Sequence, residues 1–497
     1  MRSIPLISSC VAALVSFAGA ELNLSQPLLS KQVLLSTFKP PQVFKNANLV
    51  RTTNLDKGYP RETINVIVEN IDSKPQSEYY LPFESSLISR VGGLEVRDKK
   101  DAEKGAFKVE VVGYDAESSA TEYYLIHLPD PLSPKEQQTL SITYSVLSTL
   151  NPVPAQIGQS DKQYLQYTFS AYTPSAYLTE KQKTKIKFPN SDVPDYTTLP
   201  AESNAEKKAD PQKQGSTFTY GPYNSIPAGA EELVSVRYEF TKPLTYASLL
   251  ERDIEVSHWG GNLAIEERYW LENKGAHLKN QFSRVDWQKT SYMNPPTSAL
   301  KGLNLPLHPG AVDAYFTDDI GNVSTSRFRP GNRESLLELK PRYPVFGGWK
   351  YSFRVGWNAN LSKYLRKLST GESYALKVPF LEGPRSPEGI QYSRVHLRVI
   401  LPEGTTNLKF STSVPIVDSQ IDIHKTFMDT IGRTALSIHA INLVDELRER
   451  DLIITYDYPW AAGFRKPIVV SLGMFSVFAA AWVVGNLDTS IGKKKTA

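Results

Sequence analysis

The 497-residue chain has a single cysteine, Cys10, and that residue falls in a segment expected to be removed. A mature chain without cysteine has no disulfide, no Cys-ligated zinc and no thiol nucleophile. A large lumenal domain can do without disulfides because its own core is sufficient. Histidine is scarce as well. His127, His258, His277, His308, His396, His424 and His439 are scattered, with no HExxH or other close ligand spacing. Neither sign of charge dominates: a formal net charge of +4 and no long Lys/Arg block leave no footprint for nucleic acid. The GxSxG elbow, the GxxxxGK[ST] phosphate loop and an Asp-x-Asp metal pair are all missing, and Gly347-Gly348 lacks the further glycines of a dinucleotide loop. These absences turn the expectation away from an enzyme. No catalytic residue, cofactor or metal ligand is assigned.

Two apolar segments are present, and their flanks differ. Met1-Arg2, an apolar stretch from Ile4 to Ala18 and the small-residue exit Ala18-Gly19-Ala20 predict a signal peptide over residues 1–20, cleaved after Ala20. Residues 467–485 read PIVVSLGMFSVFAAAWVVG, with no charge in 19 residues. As a helix they span about 28 Å, close to the hydrocarbon thickness of a bilayer. Trp460, Phe464 and Trp482 lie near the ends, where aromatic rings suit the interface. Arg465-Lys466 and Lys493-Lys494-Lys495 flank the span on its two sides, so orientation rests on the signal peptide. A cleaved signal followed by one stop-transfer helix leaves the preceding chain lumenal and residues 486–497 cytosolic. Lys494 and Lys495 stand fourth and third from the end, the register of a dilysine retrieval signal of the endoplasmic reticulum.

Between these segments the pattern is β. Ile64, Val66 and Val68, then Leu140, Ile142 and Tyr144, then Val234, Val236, Tyr238 and Phe240, then Val395, Leu397 and Val399 alternate with polar residues. Period two places one face on a core and the other in water. No series of amphipathic helices separates the runs, which argues against a doubly wound sheet. The expected fold is mainly β: two sandwich-like lumenal domains, 21–250 and 251–460, followed by one transmembrane helix. Glu202 to Gly215 is expected as a polar loop within the first domain, and Pro129-Asp130-Pro131 as a turn. Leu361 to Leu368 is expected as a short helix. Thr434 to Asn442 and Leu452 to Tyr456 are expected to form a hairpin leading into the membrane segment.

Three N-x-S/T acceptors occur, at Asn23, Asn322 and Asn360. A lumenal chain would carry N-glycans there on exposed loops, with Asn23 the least favourable because it lies almost at the new N-terminus.

Several long stretches are specific. They are Ser257-His258-Trp259-Gly260, NLAIEERYWLENKGAHLKNQFSRVDWQ over 262–288, RYPVFGGWKYSFRVGWN over 342–358, Asp429-Thr430-Ile431-Gly432-Arg433 and DLIITYDYP over 451–459. With the signal, the span and the dilysine end, the chain resembles the ribophorin I family, in its short-tailed fungal form. That family forms the large lumenal subunit of the eukaryotic oligosaccharyltransferase, which moves a preassembled glycan from dolichyl diphosphate to the Asn of an N-x-S/T sequon. The resemblance implies a non-catalytic subunit whose partners are a multispanning catalytic subunit and small membrane subunits, with the nascent polypeptide acceptor as a further candidate partner. It implies an assembly role, with room for presenting acceptor chains, and no catalytic role for His258 or Asp429. Signal, span and tail alone would equally fit a lumenal cargo receptor or chaperone; the internal stretches decide between the two.

Overall fold

The computed structural model describes residues 33–34, 38–114, 121–200, 210–293, 295–369, 371–426 and 429–487. The expected signal peptide, Asn23, residues 202–209 and the Lys494-Lys495 end lie outside them. The described chain is predominantly β-sheet, followed by one long apolar helix, Arg465–Gly485.

The alternating runs become strands with one face inward. Ile64, Val66 and Val68 on Arg61–Asn70, and Leu140, Ile142 and Tyr144 on Gln137–Val146, are all buried. These strands belong to a seven-stranded sheet. Its order is Gln212–Gln214, Thr217–Ile226, Thr179–Lys187, Phe44–Asn54, Arg61–Asn70, Gln137–Val146, Val91–Asp98. Two apolar cores form on it. One is closed by the sheet of Gln76–Glu84, Thr121–Leu132 and Lys108–Val111, the other by the sheet containing Tyr164–Ser170 and Leu233–Glu239. At the seam the Arg51 guanidinium donates to both Glu62 carboxylate oxygens at 2.9 Å, and Thr53 and Tyr167 hydroxyls donate to the same carboxylate. Glu62 is fully buried, so these three side chains are what make its charge tolerable there.

A third core occupies the second half of the chain. Its main sheet has eight strands in the order Gly321–Asn322, Val312–Asp318, Lys350–Asn360, Asn262–Asn273, Thr245–Ser257, Ile390–Glu403, Arg433–Val444, Asp418–His424. Apolar residues change allegiance between Leu244, which packs in the earlier core, and Ala247, which packs in this one. Fully buried Arg252 is met by Glu267 and, at 2.8 Å, by Glu382.

Several local expectations are corrected. Asn360 caps a 3-10 turn over Leu361–Lys363, and Leu365–Lys367 is then drawn into a strand against Ser373–Pro379. Arg433–Val444 and Asp451–Asp457 are both strands but do not form a hairpin. The first pairs with Ile390–Glu403 and Asp418–His424, the second with Ser373–Pro379 and Thr406–Thr412. Pro129-Asp130-Pro131 lies within the strand Thr121–Leu132, at an irregularity where the register with Gln76–Glu84 slips. Gln212–Gln214, expected in a loop, adds an edge strand.

The strand Arg433–Val444 gives the larger sheet its direction. Arg433 lies at the end from which the apolar helix leaves, and Val444 at the end that meets the first half of the chain. Eleven steps of about 3.3 Å separate these ends by roughly 36 Å. At the far end Tyr59, Leu147 and Val444 form a small buried cluster. The Tyr59 hydroxyl donates to Asp445 at 2.7 Å, the Asn442 amide donates to the Ser89 carbonyl at 2.7 Å, and Arg450 pairs with Glu95 at 2.8 Å. The backbones approach so closely that a Cβ on Gly92 would sit 1.8 Å from the Asn442 carbonyl oxygen.

Candidate functional site at the root of the apolar helix

The chain enters the helix through Tyr458, Pro459 and a 3-10 turn over Trp460–Phe464. The helix Arg465–Gly485 carries no acidic side chain in its first turn and no basic one in its last, and none of its residues is buried. Pro467 sits in the first turn, where a missing N–H breaks no intrahelical bond. With the preceding turn the helix runs over Trp460–Gly485, 26 residues of mean hydropathy 2.2 in its most apolar window, and is long and apolar enough to cross a membrane.

A polar clamp holds its first turn. The Asp429 carboxylate, its side chain fully covered, lies 2.7 Å from the Lys466 ammonium and 3.3 Å from Arg433 Nε. It also accepts from the Thr426 backbone N–H at 2.8 Å and the Thr426 hydroxyl at 2.7 Å. Burial pushes this carboxyl up, but Lys466, Thr426 and Arg433 together outweigh it and hold the group well below the usual carboxylate range. Arg433 in turn reaches across the intervening strand Ile390–Glu403 to pair with Glu255 on Thr245–Ser257. One oxygen of Glu403 accepts from the Thr430, Ile431 and Gly432 backbone N–H groups at 2.7, 2.5 and 3.2 Å, and from the Thr430 hydroxyl. The stretch Asp429-Thr430-Ile431-Gly432-Arg433 is therefore a docking loop for the helix. Its specificity in the sequence has a structural cause.

The second telling stretch lies beside it. His258 shares a 2.8 Å hydrogen bond between Nε2 and the Tyr456 hydroxyl, and its ring packs on Tyr374 and Tyr458 at centroid distances of 4.8 and 4.5 Å. Burial lowers its pKa to about 4, so the imidazole is neutral at neutral pH. A neutral, desolvated histidine enclosed by tyrosines packs and orients; among the described residues its ring nitrogen is hydrogen-bonded to the Tyr456 hydroxyl and to no carboxylate. Two residues after Tyr458, the Trp460 N–H donates to Glu372 at 3.1 Å. Trp259, at the tip of the hairpin that His258 anchors, is 83 % exposed, and Trp460 is 72 % exposed.

Asn322 and Asn360 are both exposed, and both stand on the outer part of the larger sheet. Asn322 pairs with Thr317, which lies opposite Arg354, while Asn360 ends the same strand six residues later. The two sites are thus about 20 Å apart along the strands. The Asn360 side chain accepts from the Ser362 N–H at 2.9 Å and the Ser362 hydroxyl at 2.7 Å. Among the described residues no group of three His, Cys, Asp or Glu side chains is placed to hold a metal ion.

Sequence reasoning missed the clamp. Lys466 read only as a flanking charge, and its carboxylate partner lies 37 positions earlier, where no local spacing signals it.

Residues 44–485 match the Ribophorin I family. A fission yeast (Schizosaccharomyces pombe) protein named dolichyl-diphosphooligosaccharide–protein glycosyltransferase subunit 1 is 30 % identical over 89 % of this chain and 95 % of its own length. The Caenorhabditis elegans protein of the same name is 31 % identical over 93 % of this chain and 76 % of its own length. The Arabidopsis thaliana protein named subunit 1B is 29 % identical over 96 % of this chain and all of its own length. The chain belongs to the Ribophorin I family. A β-rich body followed by one long apolar helix matches the single-pass type I topology of an endoplasmic reticulum membrane protein.

Proposed function

We propose that this Ribophorin I family member is a non-catalytic subunit of an oligosaccharyltransferase, anchored by Arg465–Gly485 with its β-rich body in the lumen of the endoplasmic reticulum. The observation that carries the reading is the match running through body and helix alike to relatives named as subunit 1 of that transferase. In this reading the work is structural. The helix meets a multispanning catalytic subunit and small membrane subunits, with Gly473, Ala479, Ala480 and Ala481 allowing close helix packing. The body, as two lumenal units divided near residue 250, keeps a fixed pose above them and can hold acceptor polypeptide near the active site. Asn322 and Asn360 carry N-glycans, which their exposure supports, and Lys494-Lys495 returns the protein to the endoplasmic reticulum.

Purification of the native protein from its own membranes in mild detergent tests this. The expected result is stoichiometric recovery with multispanning partners and transferase activity in the same fraction. Recovery as a free monomer that on its own binds unfolded glycoproteins contradicts it and favours a cargo receptor or chaperone.

A further inference from the structure

The root end of the larger sheet leaves large apolar side chains uncovered on three separate segments. Trp259 stands at the tip of the hairpin between Thr245–Ser257 and Asn262–Asn273. Ile431 stands on the docking loop. Trp460 and Phe464 stand on the turn before the helix. All four are more than half exposed, whereas strands of this sheet bury apolar residues along their inward faces. Scattered exposed apolar residues need no explanation, but a set gathered around the exit of a membrane helix does.

The gathering follows from contacts already described. His258 packs on Tyr458, so the residue preceding Trp259 touches the chain two residues before Trp460. Asp429 pairs with Lys466, so Ile431 lies two residues from a direct contact with the first helical turn. Both segments are held stiffly, the hairpin by the Tyr456 hydrogen bond and the loop by the Glu403 carboxylate. Each segment is tied back by polar contacts, and its large apolar side chains are left exposed. Arg465 and Lys466 add cationic groups at the same level. Tryptophan with neighbouring cations and aliphatic side chains is the composition that suits the headgroup region of a bilayer.

We propose that this end of the body is a bilayer-contact surface: Trp259 and Ile431 enter the headgroup layer of the same leaflet that the helix crosses. The occupant is phospholipid, and the argument for it is continuity with the helix, which enters lipid within a few residues of both contacts. The inference rests on the reading that Arg465–Gly485 spans the membrane. Three points of contact fix a plane, so the body is held at one tilt instead of swinging on a single tether.

The test uses the full chain reconstituted in phosphatidylcholine–phosphatidylethanolamine vesicles. Because Cys10 is the only cysteine, C10S combined with W259C carries one thiol for an environment-sensitive fluorophore. The probe at 259 should emit to the blue and lose most of its intensity to nitroxide carried on lipid headgroups, while resisting aqueous iodide. A probe at Gln212 on the first unit should show the opposite, and one at Phe475 should be quenched by nitroxide deep in the acyl chains. As a readout that keeps the native residue, the emission difference between wild type and W259F should be quenched by lipid brominated near the headgroup. If position 475 reports lipid while 259 reports water, the proposal is wrong and the membrane reading survives. If 259 is shielded from lipid and water alike, a protein partner covers it, and the proposal is equally wrong. If 475 also reports water, the membrane reading itself fails.

Discussion

The two ends of the larger sheet are finished in opposite ways. At the far end, Val444 is buried with Tyr59 and Leu147, the Asn442 amide is spent on the Ser89 carbonyl, and Asp445 takes the Tyr59 hydroxyl. At the root end, Asp429 pairs with Lys466 and Arg433, and one oxygen of Glu403 accepts from the loop backbone, but Trp259, Ile431 and Trp460 are left uncovered. Both ends hold their charged groups in named pairs, and what differs most is the disposal of apolar surface. Where the chain meets itself, that surface is closed. Where the helix leaves, it is left for another medium.

The comparison can be broken first at the far end. Gly92→Val places a side chain where even a Cβ meets the Asn442 carbonyl at 1.8 Å, so the two halves must separate or the strand must shift. A loss of at least about 3 kcal/mol is expected, with calorimetric unfolding split into two transitions and the root end unaltered. At the root, Asp429→Ala strips Lys466 and Arg433 of their shared buried partner. Lost charged hydrogen bonds of this kind cost about 1–3 kcal/mol. Here the loss should show as faster proteolysis between Tyr458 and Arg465, with the far end intact.

His258 sharpens the contrast through pH. Its folded pKa is lowered to about 4 by burial, against about 6.5 in an unfolded chain. The stability it contributes is complete above pH 6.5 and is lost as pH falls from there through about 4, because the unfolded chain takes up the proton first. Discounted for partial solvent access, the loss is about 1–2 kcal/mol. Denaturation midpoints measured across that window should fall more steeply for wild type than for H258Q. The smallest effects belong to the sequons. N322Q should remove one glycan step on a gel and change stability by less than about 0.5 kcal/mol. N360Q should remove another step and cost about 1 kcal/mol, because that side chain also caps Leu361–Lys363.

Much of the body was readable from alternation alone. Val234, Val236, Tyr238, Val395, Leu397 and Val399 are buried as period two requires. Pairing was not readable. Arg433–Val444 and Asp451–Asp457 looked like neighbours because only a few residues part them, yet the 3-10 turn over Asp445–Glu449 sends them to different sheets. Local pattern sets which face of a strand is apolar, but partner choice is decided by distant strands with equally apolar faces. Leu361 to Leu368, expected as a short helix, was decided in the same way: Leu365–Lys367 is taken up by an available strand partner. At the candidate site, the apolar span was plain in the composition. The clamp was not, since Asp429 and Lys466 are brought together only by the finished fold.

Protease accessibility in sealed microsomal vesicles tests the central claim most directly. If Arg465–Gly485 crosses the membrane and the body lies inside, external protease removes at most the 12 residues after Gly485 and spares every epitope on the β-rich body until detergent is added. Digestion of the body in intact vesicles contradicts the account.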